Sequence, residues 1–457
     1  MIPFEEAVRA TLAEVTDAGR APSGLRVVTD TRSIEPGDAF LALRGERFDG
    51  HDYVGEAIAR GASALIVDER NVAVDGVTTL IVPDTLRAYL ALARVARDRF
   101  EGRVIAVTGS TGKTTTKDLL AQLLRAHYGD RVAASPANEN NEIGVSRFLL
   151  GQATGARDVL VVEMGARHYD DIAPLVVAAR PDIGILTNVG EAHVEIMGSR
   201  ERLAHTKWGL FSGGALAVLN ACDEVSLRRA PSLHEAPHWF AATDDERIST
   251  GGRTTLLVGR ARLIAIDGDR EDERPIDVRL PGAHNRANLA AAIAGAREMG
   301  VPLDTIVATV PGLQLPKGRY EAIDLPGRPR LIYDAYNANL SGMFAALDAF
   351  AAEAGERRIA VLSSMAELGP EAPVMHEQVG ERAAATALDV LLVGGTYADE
   401  LARGAAAAGL SSEQIVRFAS NEDAAQWIDA NGRPGDVVLL KGSRVYALEE
   451  IVERLRG

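Results

Sequence analysis

The segment Gly109-Ser110-Thr111-Gly112-Lys113-Thr114-Thr115 constrains the fold more than any other part of the sequence. It follows the apolar, β-branched run 103–108 and precedes a helical pattern over 115–127, and this order predicts the start of a βαβ unit. Glycines let backbone N–H groups turn toward phosphate oxygens, while the N-terminus of the following helix adds partial positive charge. We therefore predict a phosphate-binding loop; a Gly/Thr turn that merely precedes a helix is the alternative.

The loop carries two side chains that are typical of nucleotide binding. Lys113 can reach the β- and γ-phosphates, and the Thr114 hydroxyl can bind Mg²⁺. The spacing is shorter than that of the usual P-loop, because only two residues separate Gly109 from Gly112. The physical role of the glycines is unchanged by this. We predict that MgATP binds here, through Gly109, Ser110, Thr111, Gly112, Lys113, Thr114 and Thr115.

The bulk properties of the chain disfavour several other classes of protein. With 457 residues it is too long for one ordinary core, and its formal charge of −15 disfavours general binding to nucleic acid or to an anionic membrane. Cys222 is the only cysteine, so no intramolecular disulfide can form, and a reducing cytoplasm is the simplest compartment. The first residues lack the features of a signal peptide, and no apolar run approaches the roughly 20 residues needed to cross a bilayer. We expect a cytoplasmic protein that neither binds nucleic acid nor inserts into a membrane.

Alternating strand and helix patterns divide the chain into three α/β domains, at residues 1–100, 101–312 and 313–457. The first is expected to be a small α/β domain and the second a P-loop ATPase-like domain with a mostly parallel sheet. The third is expected to be a smaller, Rossmann-like, doubly wound domain. The predicted strands are 39–43, 64–67, 103–108, 158–163, 183–188, 330–333, 358–363, 390–393 and 436–440. The predicted helices are 54–61, 86–100, 115–127, 200–210, 285–299, 343–354 and 374–386.

Two polar residues lie at or after strands of the predicted central sheet. Glu163 ends the strand 158–163, and His193 follows the strand 183–188. Because open parallel sheets bind ligands at the carboxyl ends of their strands, both side chains are expected near the phosphate loop. Mg²⁺ prefers carboxylate oxygen, which makes Glu163 the better ligand, whereas a histidine is unusual for this ion. A surface or capping role is the alternative for His193.

Together these features resemble the Mur ligase family, cytoplasmic enzymes that add amino acids to a UDP-linked muramoyl peptide during peptidoglycan precursor synthesis. The resemblance covers nearly the whole chain. The family's own short ATP loop is matched by 108–115, and its Asn-rich segment by 138–144. The segments 281–288, 318–319 and 334–339 resemble those that approach the nucleotide or close over it.

The resemblance implies an ATP-dependent ligase with two Mg²⁺ ions. Its catalytic residues would be Lys113, Glu163, His193 and Lys207. The residues expected around the metal ions are Thr114, Glu163, His193 and Lys207, the last carried as a carbamate. Further nucleotide contacts would come from Asn138, His284, Asn285, Asn288, Arg319, Asp334, Tyr336 and Asn337. The alternatives are a surface lysine at 207, a plain helix N-cap at 285, and exposed charges without a specific role at 319 and 334.

Within the family, the segments 45–53 and 334–339 resemble the member that joins D-alanyl-D-alanine to a UDP-N-acetylmuramoyl tripeptide. The string Asn-Pro-Arg, usual in the preceding ligase, is absent. The segment 29–32 resembles a uridine-binding turn, so the first domain is expected to bind the UDP substrate, the second ATP, and the third to act as the ligase domain. The expected substrate-binding residues are Thr31, Arg32, Gly45, Asp49, Gly50, His51, Asn339 and Lys441. A simple turn at 49–51 and a solvated loop after 441 are the alternatives.

The chain departs from the family's pattern at several positions. In the third domain, serines stand at 363 and 364 where Gly-Asp is usual, and Leu340-Ser341-Gly342 stands where Pro-x-Ser-Met is usual. In the second domain, Lys207 is followed by Trp208-Gly209, whereas a Glu often stands two residues after this lysine. Ser146 stands where Pro is common. The changes near 340 and 363 lie in the domain expected to hold the incoming amine. A sister ligase that adds the third amino acid, or a similar ligase with a different amine, is therefore the alternative function. A folylpolyglutamate synthase and a non-catalytic nucleotide-binding protein are further alternatives. We expect a monomer.

Overall fold

A computed structural model describes residues 1–17, 21–45, 48–69, 74, 76–137, 139–190, 194–243 and 253–456. Each of the three predicted segments contains one large sheet flanked by helices. The expected three-domain α/β fold is confirmed, while the boundaries at 100 and 312 stay predictions. Two predicted site residues, Asn138 and His193, lie outside the described residues.

The N-terminal segment is built on a five-stranded sheet, in which only β2 is antiparallel to its neighbour. The strand order is β2 (Glu14–Thr16), β7 (Thr78–Ile81), β6 (Ala64–Val67), β5 (Ala39–Leu41) and β4 (Val27–Val28). A separate antiparallel pair joins β1 (Ile2–Pro3) to β3 (Gly24–Leu25). The helices are α1 (Phe4–Thr11), α2 (Val54–Ala59) and α3 (Thr85–Asp98).

The central segment holds a nine-stranded sheet whose strands run parallel from β9 to β14 along the sheet, followed by two antiparallel edge strands. The order is β16 (Arg270–Pro275), β15 (Arg262–Asp267), β14 (Thr254–Val258), β13 (His238–Ala242), β12 (Leu216–Asn220), β11 (Ile183–Leu186), β8 (Arg103–Thr108), β10 (Val159–Glu163) and β9 (Val132–Ala134). The helices are α4 (Lys113–Tyr128), α5 (Glu142–Gln152), α6 (Ile172–Ala179), α7 (Val194–Met197), α8 (Arg200–Trp208), α9 (Glu224–Arg229), α10 (Ala283–Glu298) and α11 (Leu303–Thr309).

Strand β8 lies between β10 and β11 and is buried on both faces. Val104 and Ala106 pack into one hydrophobic cluster with α5 and α6, while Ile105 and Val107 pack into another with α4 and α10. Burial on both faces explains why this strand is a continuous apolar run rather than an alternating one. The chain passes to β9 and β10 on one side of β8 and to β11 on the other, so the loop after β8 lies at the switch point where such sheets bind ligands.

The C-terminal segment is a six-stranded sheet, parallel except for the edge strand β17. The order is β17 (Glu321–Ile323), β18 (Arg330–Tyr333), β22 (Val437–Lys441), β19 (Arg358–Leu362), β20 (Val390–Val393) and β21 (Ile415–Arg417). The helices are α12 (Leu340–Phe350), α13 (Ala372–Ala384), α14 (Ala398–Ala407), α15 (Asn421–Asn431) and α16 (Glu449–Arg456).

All the predicted strands and helices are present, with ends that differ by at most four residues. No strand was predicted between residues 216 and 275, whereas the structure has five there, β12 to β16. The outermost of these, β16, is mostly exposed and charged, so it lacks the apolar signal that reveals a strand. Within the described part of the chain, no helix is long and apolar enough to span a bilayer.

Candidate active site

The phosphate loop connects β8 to α4. Positive φ angles of 151° at Gly109 and 79° at Gly112 turn the loop, and α4 begins at Lys113. The Lys113 ammonium donates to the carbonyl oxygens of Gly109 at 2.9 Å and Ser110 at 3.4 Å. Burial lowers the pKa of Lys113, although the nearby Glu163 carboxylate opposes this effect. The loop therefore places a partly buried lysine at a helix N-terminus, an arrangement that favours an anion.

A cavity of about 760 Å³ opens beside the loop. One side is formed by the loop and by residues at the ends of β10 and β11, and the other by loops of the C-terminal sheet, among them Arg319 and Tyr336. Every predicted nucleotide-binding residue in the described chain, except Gly109, lines this cavity. Glu163, Asn339 and Lys441 line it as well. The structure thus brings together residues that lie far apart in the sequence.

Glu163 ends β10 with a buried carboxylate. The Asn140 side chain donates to its Oε1 at 2.8 Å, and its backbone N–H donates to the Ser135 hydroxyl oxygen at 2.9 Å. The second carboxylate oxygen, Oε2, has no hydrogen-bond partner among the described residues. A buried, unpaired carboxylate oxygen is destabilising unless a cation binds it. Glu163 therefore fits a divalent cation at the edge of the cavity.

The remaining ligand chemistry is also that of Mg²⁺. In the described part of the chain, no group of three or more His, Cys, Asp or Glu side chains could hold a metal ion. Mg²⁺ commonly takes one or two protein carboxylates and completes its shell with water and phosphate oxygens. The hydroxyl of Thr114, the loop residue after Lys113, and the Glu163 carboxylate suit that pattern.

Lys207 lies on α8 and is buried. Its ammonium donates to the Gly109 carbonyl oxygen at 3.0 Å. Burial, together with the positive charge of Lys113, lowers the pKa of Lys207 well below its usual range. The alternative of an ordinary surface lysine is wrong, because the side chain ends beneath the phosphate loop.

Helix α10 carries two of the predicted nucleotide-binding asparagines and approaches the loop closely through Asn288. Asn285 donates to the Pro281 carbonyl oxygen at 2.9 Å, and the N-cap of the helix is Gly282, so the alternative of a plain N-cap at Asn285 is wrong. A Cβ at Gly112 would lie 2.1 Å from Asn288 Oδ1. Glycine at 112 therefore lets this helix lie against the loop without displacing the Asn288 side chain.

His284, at the same end of α10, packs edge-on against Tyr320, with ring centroids 6.1 Å apart. Burial lowers the pKa of His284. The neutral imidazole is therefore the favoured form on this wall of the cavity.

Arg319 extends from the C-terminal segment toward the phosphate loop. Its guanidinium lies 4.1 Å from the ring centroid of Tyr336 and 3.5 Å from the Thr114 hydroxyl. Its Nε is buried with no hydrogen-bond partner in the described chain. A cation from one segment thus faces the predicted Mg²⁺-binding threonine of another.

Asp334 and Lys441 contact each other, a pairing that was not predicted from the sequence. The Lys441 ammonium lies 3.0 Å from Asp334 Oδ2 and donates to the carbonyl oxygens of Asp334 and Asn337, both at 2.9 Å. The Tyr320 backbone N–H donates to Asp334 Oδ1 at 3.1 Å. Asn339 caps α12 by accepting from the Gly342 backbone N–H at 2.8 Å. The expected contacts of these residues with ATP and substrate stay predictions.

The predicted substrate residues of the N-terminal segment form a separate group, and none of them lines the cavity. Asp49 caps a short 3-10 helix, accepting from the His51 backbone N–H at 3.0 Å and pairing with Arg44 at 2.6 Å. His51 is buried, and its Nε2 accepts from the Asp68 backbone N–H at 3.3 Å. A Cβ at Gly50 would lie 2.7 Å from the Leu43 carbonyl oxygen. The turn at 49–51 is therefore a packed and ordered element.

The second part of this group is more open. Arg32 is exposed and pairs with Asp30 at 2.6 Å, which lowers the pKa of Asp30 to about 2. Thr31 is buried in the same short 3-10 helix as Arg32. In the segment 45–53, the Gly45 backbone N–H donates to the Phe48 carbonyl oxygen at 2.9 Å. The guanidinium of Arg32 is accessible to an anionic ligand.

Three family models match the sequence. They are Mur ligase family, catalytic domain, over residues 26–101, Mur ligase middle domain over 107–296, and Mur ligase, glutamate ligase domain over 318–444. A UDP-N-acetylmuramoyl-tripeptide--D-alanyl-D-alanine ligase of Synechocystis sp. is 36% identical over 436 residues, which cover 94% of this chain and 91% of that protein. The chain belongs to the Mur ligase family.

Solved structures of other Mur ligases share the fold of this one. A MurF from Acinetobacter baumannii superposes with a TM-score of 0.84 at 27% identity, over 100% of this chain and 98% of that chain. A MurF ligase from Thermotoga maritima, solved in complex with ADP, superposes with a TM-score of 0.79 at 29% identity, over 94% of this chain and 97% of that chain. The family and the fold predicted from the sequence are both confirmed.

Several residues around the site of this Mur ligase were not singled out by the sequence analysis. Asn140 and Ser135 hold Glu163, and Asn140 lies inside the Asn-rich segment 138–144 that the resemblance identified. Buried Lys117 donates to the Ser135 carbonyl oxygen at 2.6 Å. Its position one turn after Lys113 on the same helix was the available signal.

An ion pair joins the two sides of the cavity. Arg167, which follows β10, pairs with Glu367, which follows β19, at 2.6 Å. Both residues line the cavity. Nothing in the sequence links two positions so far apart, so this contact was visible only in the structure.

Proposed function

We propose that this Mur ligase joins D-alanyl-D-alanine to UDP-N-acetylmuramoyl-tripeptide in a reaction driven by ATP and dependent on Mg²⁺. The relative from Synechocystis sp. carries this activity in its name, and the Thermotoga maritima MurF ligase binds ADP. The observation that supports the proposal best is the single cavity lined by the phosphate loop, Glu163, Arg319 and Tyr336. A ligase has to bring ATP and both reacting groups into one place, and orientation of this kind lowers the barrier.

The proposed reaction has two steps, because a carboxylate oxygen is a poor leaving group. First, a carboxylate oxygen of the tripeptide attacks the γ-phosphorus of ATP, and the bond from that phosphorus to ADP breaks. Then the amine nitrogen of the dipeptide attacks the acyl carbon and loses a proton, while the carbon–oxygen bond breaks and phosphate leaves. Two anions meet in the first step, so Lys113 and Arg319 are needed to screen their charges.

Thr114 and Glu163 would hold Mg²⁺, together with His193, whose place follows from the sequence alone. Bound Mg²⁺ supplies positive charge that neutralises phosphate oxygens. We expect two such ions. The unpaired Oε2 of Glu163 supports the assignment of this residue as a Mg²⁺ ligand.

Lys207 is proposed to act as a carbamate. A bare ammonium is a poor neighbour for a metal ion, whereas the adduct of a neutral lysine amine with CO₂ carries carboxylate-like oxygens. The lowered pKa of buried Lys207 favours the neutral amine that this addition needs.

The N-terminal segment is proposed to bind the UDP part of the substrate. Thr31 and Arg32 would lie near the uridine, and His51 with the backbone N–H groups of the turn around Gly50 would donate to the diphosphate. The proposed UDP site is therefore separate from the proposed ATP site, since these residues lie outside the ATP cavity. We also expect the protein to act as a cytoplasmic monomer.

The deciding experiment pairs UDP-muramoyl dipeptides and tripeptides with single amino acids and dipeptides, and measures phosphate release. Turnover is expected only with a UDP-tripeptide and D-alanyl-D-alanine. Turnover only with a UDP-dipeptide and a single diamino acid would instead identify the sister ligase. ATP binding without substrate-dependent phosphate release would identify a binding protein, and the Lys113→Met variant provides the inactive control.

A further inference from the structure

Three cationic side chains of the C-terminal segment line the cavity, and they differ in the groups that their charged ends contact. They are Arg319, Lys441 and Arg444. The proposed dipeptide substrate carries a carboxylate at the end opposite its reacting amine. A partly enclosed carboxylate needs a cation with free donors, so the contacts of these three side chains bear directly on where it binds.

Lys441 has no free donor. Its side chain is buried, and its ammonium nitrogen lies 2.9 to 3.0 Å from three oxygens. These are Asp334 Oδ2 and the carbonyl oxygens of Asp334 and Asn337. An ammonium has three N–H groups, and three acceptors occupy them. Burial also lowers the pKa of Lys441.

Arg319 is oriented toward the phosphate loop. It reaches 3.5 Å from the Thr114 hydroxyl, which belongs to the phosphate loop. It packs on the ring of Tyr336 at 4.1 Å from the centroid. Its positive charge therefore lies at the end of the cavity formed by the phosphate loop.

Arg444 packs on the same Tyr336 ring, at 5.3 Å, but is exposed and forms no ion pair within 4 Å in the described chain. It follows Ser443, whose hydroxyl accepts from the Ala366 backbone N–H at 2.9 Å and lies 3.4 Å from the Ala338 carbonyl oxygen. Both alanines line the cavity. Arg444 and the two alanines thus line the same cavity, and Ser443, the residue before Arg444, joins the backbones of both alanines.

We infer that Arg444 binds the carboxylate of the incoming D-alanyl-D-alanine, with Ala338 and Ala366 beside its methyl groups. The inference rests on the proposed function and assigns the dipeptide carboxylate to Arg444 rather than to Lys441. A guanidinium pairs with a carboxylate through two parallel hydrogen bonds. The ring of Tyr336 then stands next to both the cation for the phosphates and the cation for the dipeptide.

The test compares D-alanyl-D-alanine with D-alanyl-D-alaninamide, which lacks the carboxylate, in wild type and in Arg444→Gln. Wild type is expected to prefer the acid by about 10- to 100-fold in kcat/KM, as is usual for a hydrogen bond to a charged group. Arg444→Gln should lose most of that preference through a raised KM for the acid, with the KM for ATP within about 2-fold of wild type. Arg444→Lys should keep part of the preference.

Arg454→Gln, an exposed arginine of α16 that pairs with Glu422 at 3.4 Å, is the matched control and should behave as wild type. A full preference for the acid in Arg444→Gln, or no preference in wild type, would overturn the inference and leave the proposed function standing. Failure of wild type to use D-alanyl-D-alanine at all would overturn the proposed function itself. A raised KM for ATP in Arg444→Gln would place this side chain at the nucleotide and count against the inference.

Discussion

The side-chain nitrogens of Lys113 and Lys207 donate to one acceptor, the carbonyl oxygen of Gly109, at 2.9 and 3.0 Å. Lys207 is buried and Lys113 is partly buried, and burial together with the charge of Lys113 lowers the pKa of Lys207. Two positive charges at one acceptor are unfavourable, so the neutral amine of Lys207 is favoured while Lys113 carries the charge. The positive charge that faces a phosphate is therefore that of Lys113.

Lys113→Met should lower kcat for phosphate release by about 100- to 1,000-fold, because one charge that stabilises the transferring phosphoryl group is lost. The thermal midpoint of the ligand-free protein should stay the same or rise, since an apolar side chain replaces a partly desolvated cation. Phosphate-release kinetics and calorimetry measure the two effects. A lower midpoint with little loss of rate would mean that the lysine serves folding rather than reaction.

Lys207→Ala should lose most activity and recover part of it in millimolar acetate or formate, because a small carboxylate can occupy the space of the proposed carbamate. Lys113→Met should show no such recovery, since the charge it lacks is positive. In wild type, a carbamate carbon signal should appear by NMR after exchange with ¹³CO₂. An unchanged rate in Lys207→Ala would exclude the role.

Lys117→Met should raise the Mg²⁺ concentration for half-maximal rate by about 10-fold, because partners that orient metal ligands typically change affinity by that order. Lys117 donates to the Ser135 carbonyl oxygen, and the Ser135 hydroxyl accepts from the Glu163 backbone N–H. Ser135→Ala should act in the same direction. Because all three residues form one chain of contacts, the double variant should be less impaired than the two single effects combined; full additivity would separate Lys117 from Glu163.

His376 should make the free energy of unfolding fall as the pH drops below about 6.5, the ordinary pKa of histidine. It is buried, its Nε2 accepts from the Met365 backbone N–H at 2.8 Å, and its ring stacks on Tyr397 at 4.5 Å. Burial lowers the pKa of His376 in the folded protein. The unfolded chain therefore takes up a proton first, and protonation favours unfolding.

Chemical denaturation at pH 7.5 and 5.5 measures this dependence. His376→Gln should show a smaller loss of stability between the two values than wild type. The comparison between the two proteins is needed because burial also lowers the pKa of His284, which acts in the same direction. An equal loss in both would remove His376 as a source of the pH dependence.

The sequence alone predicted the structural features that depend on residues close together in the chain. The strand 103–108, the loop and the helix after it follow from local apolar pattern and glycine spacing. The apolar run before Glu163 placed it at a strand end, and the common edge of parallel strands predicted that it lies near the loop, with which it shares the cavity. The Mur ligase motifs added the residues from the C-terminal segment, which physical reasoning from local pattern would not have joined to the loop.

The contacts between side chains were beyond prediction. Lys441 and Asp334 were expected to face ligands, yet they form an ion pair at 3.0 Å, and nothing local distinguishes the two outcomes. The ion pair between Arg167 and Glu367 depends on how two sheets approach each other. Such pairing is decided by packing across the whole fold.

The fit of Gly112 against Asn288 has a consequence for the history of such a sequence. Any side chain at 112 meets two obstacles, an oxygen 2.1 Å away and a φ of 79° that only glycine adopts freely. Shortening Asn288 removes the oxygen but leaves the backbone strain. A gene that loses this glycine therefore has no single compensating change available at position 288, and reversion is the direct route back.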